Sequence, residues 1–181
     1  MEQKALDAWT DLVLAYGRIT QAMEREMNRS TGLTLSQYDV LLRLAEAPGG
    51  RMRMSDLATS VVYSTGGLTR LLARMDRAGL VERVPSPDDR RVVHAVLTER
   101  GRERLAEASR VHLAGIEHHF ARHLLPAESG PVADFLQRLH EAADEDGAGR
   151  ETVGRARGRG PLAGGGGGWT AGGRRRRAEG A

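Results

Sequence analysis

Leu80-Val81-Glu82-Arg83-Val84 and Arg91-Val92-Val93-His94-Ala95-Val96-Leu97, joined by Pro85-Ser86-Pro87-Asp88-Asp89-Arg90, decide the fold. Both flanks are rich in β-branched residues and alternate along the chain, the period of two that belongs to strands. Proline, serine and aspartate at the joint favour a turn and give it a charged tip. The spacing predicts a two-stranded hairpin over 80–97. Elsewhere the apolar residues recur at three and four positions, so the hairpin stands alone among helices.

Upstream, Leu6, Trp9, Val13, Tyr16, Ile19, Met23 and Met27 predict one long amphipathic helix that stops before Gly32. Thr34-Leu35-Ser36-Gln37 is a capping box, with Leu33 and Tyr38 placed as its hydrophobic staple. The second helix carries Leu41, Leu44 and Ala45 on its buried stripe until Pro48-Gly49-Gly50 breaks it. Ser55 is expected to cap a short third helix through about Ser60. Ser64 or Thr65 starts a fourth, with Gly79 in a C-cap position. Downstream of the hairpin, Thr98 begins a helix of about 27 residues to about Leu124, and Pro131 starts a last one through about Ala143. No internal repeat is present.

Three helices, a short turn between the last two and a following hairpin make a winged helix-turn-helix, whose second motif helix lies in the DNA major groove. Residues 64–79 suit that role. At 100° per residue, Leu68, Leu71, Leu72 and Met75 share a stripe fit for a core. The opposite face shows Gly66, Thr69, Arg70, Ala73, Arg74 and Arg77. Small residues let the backbone approach the groove, Thr69 and Arg70 can reach base edges, and Arg74 and Arg77 suit bases or phosphates. Ser64 and Thr65, at the helix N-terminus, can add phosphate contacts. At the wing tip, Arg90 and Arg91 suit an adjacent minor groove, while Asp88 or Asp89 pairs with an arginine and fixes its direction. An arginine-rich chain can also present such a face merely to solvent. Against that, residues 51–98 hold eight arginines and five acids, a local excess of +3.

Residues Leu33 to Leu105 resemble the MarR family of bacterial transcriptional regulators. The resemblance is carried by Leu35-Ser36-Gln37-Tyr38-Asp39-Val40-Leu41, Ser64-Thr65-Gly66-Gly67-Leu68-Thr69-Arg70 and Ala78-Gly79-Leu80-Val81-Glu82-Arg83. Its most specific part is Pro87-Asp88-Asp89-Arg90-Arg91-Val92 followed by Leu97-Thr98-Glu99-Arg100-Gly101. It implies a mainly α fold with a small β-hairpin: a winged helix-turn-helix lobe over about 33–98, and dimerisation helices over about 3–31 and 98–143. It further implies a homodimer on a pseudo-palindromic double-stranded DNA operator, released by a small, aromatic or phenolic effector. Trp9, Tyr16 and Tyr38 are candidates to line the effector cleft, with Asp39 and Arg43 as polar anchors. The alternative for these residues is core packing for the rings and a solvated Asp39. Metal sensing through His112, His119 and His123 is a further alternative, since two histidines four apart on a helix can chelate zinc.

Composition narrows the remaining classes. The 181 residues contain no cysteine, which excludes disulfides, thiolate metal sites and a thiol trigger such as one branch of the family uses. No segment has the roughly 20 apolar residues of a membrane span, and the N-terminus does not read as a signal peptide. A cytoplasmic, nucleoid-associated protein is expected. The sequence holds no Gly-rich phosphate loop after a strand and no Gly-x-Ser-x-Gly, so neither an enzyme nor a bound cofactor or resident metal is expected. Net charge is +3, but residues 145–181 contribute +4 with 13 of the 23 glycines, and residues 1–144 net −1. Residues 1–144 are expected to fold and 145–181 to form a disordered Gly/Arg-rich tail. A non-specific, nucleoid-type DNA coater driven by that tail is the alternative to a sequence-specific regulator.

Overall fold

The computed structural model describes residues 2–61, 65–86, 89 and 92–148. The chain forms two units, one ending at Ser129 and the other containing most of the last helix. In the first unit, helix α1 spans Gln3–Thr31 and ends at Gly32, whose φ of 69° is left-handed. Only the C-terminal part of α1 is buried, through Met23, Met27 and Thr31. Helix α2 (Leu35–Glu46) begins at the expected capping box: Thr34 accepts from the Gln37 amide, and the Gln37 side chain accepts from the Thr34 amide. Leu33 and Tyr38, the staple pair, are both buried. Ala45 is exposed instead of lying on the buried stripe, which consists of Tyr38, Val40, Leu41 and Leu44.

The hairpin is part of a three-stranded sheet. A strand that the sequence does not announce, β1 (Arg51–Arg53), pairs antiparallel with β3 (Val93–Leu97), which pairs in turn with β2 (Val81–Pro85), in the order β1-β3-β2. Its three residues include two arginines and no β-branched side chain, so neither period nor propensity marks it. This pairing also corrects the start of helix α3 (Met54–Ser60). The chain passes from strand to helix at Arg53, which is the N-cap. Ser55 lies inside the first turn, where its hydroxyl donates to Asp56 Oδ1 at 3.1 Å rather than capping.

Helix α4 (Thr65–Arg77) ends in a Schellman turn, with the Gly79 amide donating to the Asp76 carbonyl and the Leu80 amide to the Met75 carbonyl. Gly79 sits at φ 68°, a conformation a side chain would strain. Helix α5 spans Glu99–His119 with Thr98 as N-cap, shorter than the expected run to Leu124. Ring-bearing residues of modest helix propensity, His118-His119-Phe120, coincide with its end, and Ala121–His123 form a separate 3-10 turn. The core joins Val40, Leu41 and Leu44 of α2, Leu57 of α3, Leu68, Leu72 and Met75 of α4, and Val81, Ala95 and Leu97 of the sheet. Leu105 and Ala108 close it from α5.

Helix α6, Ser129–Ala148, starts two residues before the expected Pro131 and ends five after Ala143. Residues 145–148 of the expected tail are therefore helical. The remainder, 149–181, lies outside the described residues.

Candidate nucleic-acid interface

The division predicted for α4 is present in three dimensions. Leu68, Leu71, Leu72 and Met75 are buried in the core, whereas Thr69, Arg70, Arg74 and Arg77 are exposed on the other side and Ala73 is half-buried. The Arg77 Nε donates to the Ala73 carbonyl at 3.1 Å, laying that side chain back along its helix. Asp76 is exposed on the same helix and tempers the positive face. Thr65 and Gly66 belong to the first turn of α4, and Ser64 lies outside the described residues. Burial of the leucine stripe thus sets the angle at which the arginine face is presented.

The Schellman turn hands the chain from α4 straight into β2, so α4 and the hairpin are joined without a loop. The strands pair Val81 with Leu97 through Pro85 with Val93, and the Ser86 amide donates to the Val92 carbonyl at 2.8 Å. The Val92 amide donates to the Asp89 carbonyl at 2.9 Å, closing the loop. Asp89 is exposed, while Asp88, Arg90 and Arg91 lie outside the described residues. The root of the wing is fixed from behind. The Thr98 hydroxyl lies 2.7 Å from the Gly79 carbonyl and 3.0 Å from that of Leu80, and it accepts from the Gly101 amide. Gly101 packs so closely against Leu80 that a Cβ there would meet its carbonyl oxygen at 2.1 Å.

Residues assigned to an effector cleft separate into two groups. Trp9 and Tyr16 are on the exposed part of α1, at 62% and 69% accessibility, whereas Tyr38 is buried. The buried Tyr38 and the half-buried Asp39 and Arg43 form a polar cluster on α2, together with half-buried His112 of α5. The Tyr38 and His112 rings lie 4.5 Å apart. Arg43 Nε stands 3.5 Å from Asp39 Oδ1, an ion pair lacking hydrogen-bond geometry. Burial raises the Asp39 pKa above the ordinary aspartate value, opposed by Arg43 and His112. Burial also raises that of Tyr38, against a hydrogen bond with Ser109, and lowers that of His112, against the charge of Asp39. In the sequence, His112 reads as part of a candidate metal cluster with His119 and His123. The signal for its true neighbours was its position on the stripe of Leu105 and Ala108, which enters the core.

The histidines do not converge. His119 Nε2 is 2.9 Å from Glu26 Oε1 of α1, and His118 Nδ1 is 3.0 Å from an Arg122 guanidinium nitrogen. Because α5 stops at His119, His123 is not on the same helical face. Among the described residues no group of three His, Asp or Glu is arranged to hold a metal ion. An open groove of about 550 Å³ runs between α1 and α5, with Glu26, Arg110 and His118 among its walls.

A helix-turn-helix carried on an amphipathic α4 and followed by a sheet-rooted wing matches known proteins throughout. The MarR family model matches residues 31–92. AbsC of Streptomyces coelicolor, a MarR family transcriptional regulator, is 32% identical, with 80% of this chain covering 97% of that one at a TM-score of 0.73. The chain belongs to the MarR family. A second member from Streptomyces coelicolor, Sco3205, solved in complex with DNA, is 25% identical over 78% of this chain and 89% of that one, also at a TM-score of 0.73. The HTH-type transcriptional repressor IacR of Pseudomonas putida is 34% identical over 102 residues, 55% of this chain and 59% of that protein. The chain spans between 48 and 62% of the length of the first curated relatives it matches. Among the described residues no helix of this MarR member is long and apolar enough to cross a membrane.

Proposed function

We propose that this MarR family member is a sequence-specific DNA-binding transcriptional regulator, acting in the cytoplasm as a homodimeric repressor. The observation that carries the reading is the division of α4: its leucine face is locked in the core, while Thr69, Arg70, Arg74 and Arg77 face outward beside the wing. Thr69 and Arg70 read base edges, Arg74 and Arg77 contact bases or phosphates, Ser64 and Thr65 add phosphate contacts at the helix N-terminus, and Gly66 lets the backbone approach the groove. Arg90 and Arg91, supported by Asp88 and Asp89, enter the neighbouring minor groove. The solved complex of Sco3205 with DNA supports duplex DNA as the partner, and the repressor IacR supports the direction of control. The named relatives are transcriptional regulators, and no catalytic step is assigned to this chain.

Dimerisation is supported by the exposed apolar stripe Leu6, Trp9, Val13 and Tyr16 on α1, a surface of the kind that soluble proteins cover with a partner. Two-fold symmetry then demands a pseudo-palindromic operator with half-sites about one helical turn apart. The cluster of buried Tyr38 with half-buried Asp39, Arg43 and His112, joining α2 of the reading lobe to α5, suits a small aromatic or phenolic effector. Such a ligand would alter the spacing of the two recognition helices and lose one half-site. Selection of bound genomic fragments tests the whole reading. A shared pseudo-palindrome, preferred by about 10³-fold or more over unrelated duplex, is expected. Uniform binding to all fragments would instead favour a coater driven by the C-terminal arginines.

A further inference from the structure

We propose that Arg53, flanked by Arg51, is a phosphate clamp at the root of the wing, a DNA contact outside both the recognition helix and the wing tip. The proposal rests on the DNA reading above and deepens it. Strand β1 is the observation that makes it. Its register sets Arg53 opposite His94 and Arg51 opposite Val96, so Arg53 stands level with the wing end of β3. Met52, between them, packs against the core opposite the buried Ala95. Alternation along the strand therefore turns both arginines to the outer face, where both are exposed.

Arg53 is the N-cap of α3 but makes no side-chain capping bond, and neither arginine has an ion pair among the described residues. Arg53 and Ser55 line a cleft of about 190 Å³ between the start of α3 and the wing root, closed by Met54, Val92 and Val93. The neighbouring carboxylate, Asp56, is engaged by the Ser55 hydroxyl at 3.1 Å. A duplex that takes α4 in its major groove and the wing tip in the adjacent minor groove carries one sugar–phosphate strand between them. The cleft lies between α3, which packs on α4, and the wing itself. A planar guanidinium there can hold a phosphodiester through two donors, with Arg51 further along the same edge.

The full chain should be titrated with its selected operator and with a scrambled duplex, across a salt series. Arg53→Ala is expected to weaken both complexes by the same factor, about tenfold, and to lower the slope of log K against log salt by about one. Arg53→Lys should keep the slope, and Arg51→Ala added to Arg53→Ala should lower it further. Arg70→Ala serves as the contrast, because it should change preference among operator variants. Since the Arg53 side chain makes no capping bond, thermal melting of Arg53→Ala should match the wild type. Unchanged affinity and slope in Arg53→Ala, with the wild type still preferring its operator, overturn the clamp and leave the regulator reading intact. A wild-type chain that prefers no duplex overturns the regulator reading instead, while the salt slope still decides whether Arg53 meets phosphate.

Discussion

Arg70 and His112 illustrate how two side chains of the same unit answer to different variables. Arg70 lies on the exposed face of α4, and a bidentate contact with guanine is the geometry that gives arginine sequence preference. Arg70→Ala should cost about 1–3 kcal/mol at the operator, measured by titration, with the loss vanishing on an operator whose guanine is replaced. His112 answers to pH. Burial holds its pKa below the ordinary 6.5, with Asp39 opposing, while Tyr38 stacks on its ring. The unfolded chain takes up this proton near 6.5, and the folded chain resists it until lower pH. Its contribution to stability is therefore complete above that value and lost as pH falls through the folded pKa. His112→Phe, which keeps a ring against Tyr38, should flatten the acid side of the stability profile, followed by denaturant melts between about pH 7 and 5. An unchanged profile would remove His112 from the acid response.

At the level of elements, the joint between the wing and α5 is the most constrained feature of the lobe. Thr98 caps α5 and contacts the Gly79 carbonyl, while Gly101 leaves no room for a Cβ beside the Leu80 carbonyl and Leu97 Cδ1, at 2.1 and 2.7 Å. Gly101→Ala should destabilise the protein by about 3 kcal/mol, read in denaturant unfolding, because the clash is with backbone that carries β2. The sequence motif Leu97-Thr98-Glu99-Arg100-Gly101 was legible as a helix start, but the reason for its glycine is a contact across about 20 residues of chain that no local pattern reveals. The same distinction separates the other elements. Thr34 and Gln37 announce α2 because both halves of a capping box lie within four residues, and Gly79 announces the end of α4 because αL conformation selects glycine. Strand β1 exists only through its partner β3, and its short Arg-Met-Arg segment carries no signal of its own. Without that pairing, Ser55 rather than Arg53 reads as the cap of α3, and the outward side of Arg51 and Arg53 carries no mark. The exposed side of α4 could be read from its period of 3.6, whereas the meeting of Tyr38 with His112 depends on how α2 crosses α5.

For the molecule as a whole, charge and apolar surface separate the parts proposed to read DNA from those proposed to hold the dimer together. Leu6, Trp9, Val13 and Tyr16 are exposed along α1, so changing them leaves the protomer core intact. Trp9→Glu with Val13→Glu should give a monomer in sedimentation with unchanged secondary structure, and should reduce operator affinity by about 10²-fold as the two half-sites cease to be linked. A dimer that survives both substitutions would place the interface elsewhere. The C-terminal residues 149–181 hold eight arginines against two glutamates, +6, whereas residues 1–148 hold 19 basic and 22 acidic groups, −3. For residues 1–148, of net negative charge, the proposed DNA binding must rely on where the arginines stand, which is the role proposed for α4, the wing and β1. Removing 149–181 should therefore leave the ratio of operator to scrambled-duplex affinity unchanged, while weakening both at low salt and making the salt slope shallower. The comparison is made by titrating both duplexes with the full and shortened chains. Loss of the ratio would move base reading into the C-terminal arginines, and an unchanged slope would mean that they do not meet the phosphates at all.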